Sequence, residues 1–128
     1  MQSVRIKWLT GTYSILLFKL DANFTVDDYR KAVAEAWEFL DHQNIQTFYV
    51  AADVTSVNRV PAEMITAMFH EYRRTHPAYA GITIFIGAPH FIKRLVEQFQ
   101  RIFRTSKFGF VDEIQDVESI ISEQVQPQ

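Results

Sequence analysis

The chain contains no cysteine, which removes disulfides, thiolate metal sites and cysteine nucleophiles together. Glycine is scarce: Gly11, Gly81, Gly87 and Gly109 cannot assemble a Gly-x-Gly-x-x-Gly fingerprint or a P-loop. No apolar run approaches the roughly 20 residues of a membrane-spanning helix. Thirteen Lys and Arg against fifteen Asp and Glu leave a formal net charge of -2, without the basic excess of a dedicated nucleic-acid binder. His42, His70, His76 and His90 are scattered, and no His-x-x-x-His pair puts two ligands on one helix face. They read as surface histidines, and no metal or cofactor is expected. Arg5 and Lys7 stand where a secretory signal would need its apolar stretch. The expectation is a soluble, cytoplasmic chain without a membrane span.

What is present is material for a core. Of 128 residues, 48% are hydrophobic, and 11 are Phe. Residues 4–9 set Val4, Ile6 and Trp8 against Arg5, Lys7 and Leu9, the period of a half-buried strand. The turn Thr10-Gly11-Thr12 then leads into a second apolar run at 13–20, which predicts a β-hairpin. Thr25 reads as a helix N-cap, with Asp27 and Asp28 in the first turn where the helix dipole favours negative charge. Tyr29, Val33, Ala36, Trp37 and Leu40 form its apolar stripe, and Asn44 its stop.

A third strand is predicted over 47–54, with Phe48, Val50, Ala52 and Val54 on one face. Pro61 suits the first position of a second helix, whose stripe would be Met64, Ile65, Met68, Phe69 and Tyr72. Gly81 opens a fourth strand over 82–86, whose three Ile share a face. A third helix from Pro89 to about residue 104 would place Phe91, Leu95, Phe99, Ile102 and Phe103 on one face, opposite Lys93, Arg94, Glu97, Arg101 and Arg104. A short strand at 108–111 and a last helix near 117–123 follow. Residues 1–124 form a single domain, with 125–128 as a flexible tail.

The fold class is therefore α/β: a mainly parallel sheet of four to five strands, opening with a β-hairpin and packed with three long helices and a short C-terminal one. In such a sheet the loops leaving the carboxyl ends of the strands share one edge, where ligands bind. That edge would gather Asp53, Ser56, Asn58 and Arg59 from one loop and His90 from another, with Glu63 at the start of the second helix. Asp, Ser and Asn also make turns and caps, so each residue has a structural reading beside the binding one. A nucleophile–base pair of Ser56 and His90, oriented by Asp53 or Asp112, has no supporting elbow motif, and no catalytic residue is assigned. If all the helices lie on one face, Tyr49, Phe85 and alternate residues of 13–20 would form an open apolar face fit for a homodimer.

The segment 50–61, Val-Ala-Ala-Asp-Val-Thr-Ser-Val-Asn-Arg-Val-Pro, together with the element order, resembles STAS domains, the fold of anti-sigma-factor antagonists. There an apolar strand ends in an Asp, followed by an apolar residue, a short polar stretch and a Val, as Asp53, Val54 and Val57 do here. Family members switched by phosphorylation carry Asp-Ser at the start of the next helix. Pro61-Ala62 stands at those positions, and Ser56 lies too early to replace the Ser. The resemblance thus implies a non-enzymatic interaction module without a phospho-switch. Its partner would be a regulatory kinase or other signalling protein, contacted through Asp53, Ser56, Asn58, Arg59, Glu63 and His90. The alternative is a small-molecule or lipid binder with an apolar cavity between helices and sheet.

Overall fold

The computed structural model describes residues 3–64, 66–67, 76–102, 104 and 107–125. Its elements are β1 (Val4–Leu9), β2 (Ile15–Leu20), α1 (Val26–Gln43), β3 (Phe48–Asp53), β4 (Tyr79–Ile86), α2 (His90–Ile102), β5 (Lys107–Val111), a 3-10 turn (Ile114–Asp116) and α3 (Val117–Val125). Residues 62–64 and 66–67 are also helical, following Pro61 as its fixed φ suits. The rest of the expected second helix, including Ile65, Met68, Phe69, His70 and Tyr72, lies outside the described residues. So does Phe103, as do positions 126–128 of the expected tail, while α3 itself runs through Val125.

The five strands form one sheet in the order β1-β2-β3-β4-β5. β1 and β2 pair antiparallel, and every later neighbour pairs parallel. This is the α/β class and strand arrangement expected. α1 begins and ends as its sequence directs: the Thr25 hydroxyl accepts the Asp28 N–H at 3.1 Å, and Asn44 takes the left-handed conformation at φ 52°.

Two cores flank the sheet. On one side Ala32, Val33, Ala36 and Leu40 of α1, and Ile92 and Val96 of α2, pack on Val4, Leu16, Phe18, Leu20 and Phe48. On the other, Val117 and Ile121 of α3 pack on Ile15, Leu17, Tyr49, Ala51 and the three Ile of β4.

This arrangement corrects two expectations. Tyr49 and Leu17 are not on an open face; they are buried under α3, with Tyr13 edge-on to Tyr49. Phe85 lies on the opposite side, because parallel pairing matches it to Ala52, whose side chain faces α1 and α2. The α2 stripe is also rotated. Ile92, Val96 and Phe99 are buried, while Phe91 and Ile102 are 39% and 62% exposed. α2 carries two overlapping apolar rows at helical spacing, and the one that starts at Ile92 meets the sheet.

The amino-terminal strand is tied to α1 through one carboxylate. The Ser3 backbone N–H and hydroxyl both donate to Asp28 Oδ2, at 2.8 and 2.7 Å. The backbone bond first, then the hydroxyl, hold the Asp28 pKa below its ordinary 3.8. A depressed carboxylate adds stability above its unfolded pKa and loses it as pH falls through the folded value. Asp28→Asn is therefore expected to destabilise the protein at about pH 7, with the gap to wild type closing below about pH 4. Urea unfolding across that range reads this directly; a gap independent of pH would contradict it.

Candidate functional site

The parallel register aligns three strand ends: Asp53 pairs with Ile86, and Ile86 with Val111. Val54 N–H donates to Ile86 O at 3.1 Å, and Gly87 N–H to Val111 O at 2.8 Å, so the exit loops leave side by side. The edge expected from the sequence thus exists as a geometric unit. It also includes a loop that the sequence reading did not use. β2 runs parallel to β3, so its exit at residues 21–25 joins the same edge, and Asn58 N–H donates to Ala22 O at 3.3 Å. The hairpin reading already contained that signal, since the second strand of a hairpin fixes which end its exit faces.

Within the edge, Asp53 has a structural task. Its Oδ1 accepts Thr55 N–H at 3.1 Å, an Asx turn that ends β3. Ser56, Asn58, Arg59, Glu63 and His90 are exposed, and among the described residues their side chains make no hydrogen bond or ion pair. Glu63 stands in the first helical turn after Pro61, a favourable place for a negative charge. No hydrogen bond joins Asp53, Ser56 and His90 to one another among the described residues.

The same loop has a second face. Val54, Val57, Val60 and Met64 turn inward and line an apolar cavity of about 330 Å³ on the helical side of the sheet. Its floor is Phe18, Val50, Ala52 and Phe85; its walls include Val33 and Trp37 of α1 and Leu95, Val96 and Phe99 of α2. Gln98 and Ile102 line it while being exposed, so the rim lies along that flank of α2. None of the six residues expected at the binding edge lines the cavity. Polar side chains alternate with inward Val and Met through residues 53–64, and the spacing of those apolar residues was the legible signal.

His76 departs from the surface reading. Its side chain is only 11% exposed, edge-on to the rings of Trp37 and Phe48. Nδ1 accepts Ala78 N–H at 3.0 Å, so the ring proton sits on Nε2 and is donated to Asp41 Oδ1 at 2.7 Å. This contact fastens the end of α1 to the start of β4, beside the cavity wall formed by Trp37 and Tyr79.

Fold and site define an α/β domain with a polar loop edge outside and an apolar cavity behind it. No protein-family model matches the chain, and no curated protein matches it. Among the described residues, no helix is long and apolar enough to cross a membrane.

Gly87 shows how closely the loops are fitted. It has φ +65°, and a Cβ there would collide with Thr55 Oγ1. Gly87→Ala is expected to cost on the order of 1–3 kcal/mol in unfolding free energy from the backbone alone, and more from the collision. A Thr55→Ala background removes Oγ1 and leaves only the close Thr55 Cβ and Cα, so the cost of Gly87→Ala should be smaller there. Equal costs in both backgrounds, measured by urea unfolding, would contradict the close approach.

Proposed function

We propose that this domain is a non-enzymatic, STAS-like binding module whose ligand is an apolar small molecule held between helices and sheet. The observation that carries the reading is the cavity. Its 330 Å³ lie at the small end of the range for small-molecule sites, about twice the roughly 150 Å³ of a dry apolar cavity that admits benzene. The cavity is open along the α2 flank and lined almost wholly by apolar side chains, which a ligand with a compact apolar body fits. The edge residues do not reach the cavity, which separates this reading from one built on Asp53, Ser56 or His90 as reacting groups.

A second reading, a protein partner at the loop edge, draws support from a different observation. Ser56, Asn58, Arg59, Glu63 and His90 are all exposed, and their side-chain hydrogen-bonding groups are uncommitted among the described residues. The two readings use opposite faces of residues 53–64. A homodimer through the sheet face opposite α1 has less to recommend it, because Tyr49 and Leu17 are covered there.

The neutral fluorophore N-phenyl-1-naphthylamine tests the cavity reading. Saturable uptake of one probe per chain is expected, with the emission shift of an apolar site. Ala52→Phe adds a ring from the floor into the empty space, so it should weaken uptake at least tenfold without lowering the melting temperature. Absence of uptake by the wild type, or uptake unchanged by the added ring, would overturn the reading.

A further inference from the structure

Phe91, Leu95, Gln98 and Ile102 recur at intervals of four, three and four residues and form one row along α2. The row is not the one that α2 buries on the sheet. At 62% exposure, Ile102 is the most exposed large hydrophobic side chain among the described residues, and Phe91 is also exposed. Beside this row runs a basic one, with Arg94 and Arg101 two turns apart and Arg104 just beyond the helix. Among the described residues no carboxylate lies within ion-pair distance of these three; Arg104 Nε donates to the Arg101 carbonyl at 3.4 Å. Glu97 is the one acidic residue between positions 90 and 107, against Lys93, Arg94, Arg101, Arg104 and Lys107. The remaining residues hold eight basic against fourteen acidic, so positive charge is concentrated on this segment of an acidic chain.

We propose that this outer flank of α2, with Phe91 and Ile102 beside Arg94, Arg101 and Arg104, docks the domain on an anionic lipid surface and sets the cavity rim against it. A polyanion such as RNA would use the cations and leave Ile102 in water. An interfacial helix buries its apolar row at the headgroup boundary while its cations meet anionic headgroups. The row that would enter the interface is also the row that reaches the cavity: Leu95, Gln98 and Ile102 line it. An apolar ligand could then pass between bilayer and cavity without crossing water. Docking rests on the exposed row and the charge of α2; only the passage of ligand depends on the cavity reading.

Vesicle sedimentation tests it. The protein is expected to sediment with vesicles of phosphatidylcholine mixed with phosphatidylglycerol at low ionic strength. It should remain in solution with phosphatidylcholine alone, and raising the salt should release it. At about fivefold per cation, Arg94→Gln with Arg101→Gln should lower partitioning roughly twenty-five-fold. Ile102→Ser should lower it too, leaving the salt dependence unchanged. Ala52→Phe should dock like the wild type, so failure of probe uptake and failure of docking are distinguishable. Several results would overturn the proposal: equal binding to neutral vesicles, no binding to either kind, or wild-type binding by Ile102→Ser. Binding to an RNA oligonucleotide with the same arginine dependence, in place of vesicles, would overturn it as well. The lipid and salt dependences need no variant, so a variant that failed to fold would leave the test intact.

Discussion

Every element of this domain is placed by the consequence of a sheet whose strands add in one direction. After the hairpin, β2, β3, β4 and β5 pair in chain order, all parallel. Right-handed connections between such strands must cross the same face each time. α1 and α2 accordingly share one core, and the opposite face is left to whatever follows β5. α3 supplies that cover with a single short helix. The same constraint aligns the exits of four strands at one edge, which is why residues far apart in the chain meet there.

The two faces of the sheet are filled differently. Under α3 the sheet presents Ile15, Leu17, Ala51 and three Ile from β4, mostly aliphatic side chains packed with Tyr49 against Val117 and Ile121. The face toward α1 and α2 is aromatic. Phe18, Phe48, Tyr79, Phe85, Phe108 and Phe110 lie there, with stacked or tilted ring contacts at centroid separations of 5.8–6.2 Å for Phe48–Tyr79, Phe85–Phe108 and Phe85–Phe110. The apolar cavity lies on this aromatic face.

Much of this was legible in the sequence. Thr25 and Asn44 mark both ends of α1, and the alternation in 4–9 together with the apolar run in 13–20 gives the hairpin. The shared edge followed from element order alone. What was not legible depended on phase. α2 contains two apolar rows one residue apart, and periodicity cannot say which meets the sheet. The face taken by Phe85 was settled by its register with Ala52, a pairing that no local pattern records. His76 read as a surface residue because the acceptor of its ring N–H, Asp41, lies 35 residues away on α1. The residues expected to bind are at the edge, yet the inward Val54, Val57, Val60 and Met64 of the same stretch shape the cavity.

The proposed function rests on the apolar cavity, and native mass spectrometry of the gently purified protein tests most directly whether it holds a ligand. The reading of the cavity requires a fraction of the chain to carry one small noncovalent mass, lost on unfolding and absent from the Ala52→Phe variant. A bare mass throughout, persisting after incubation with N-phenyl-1-naphthylamine, would contradict it.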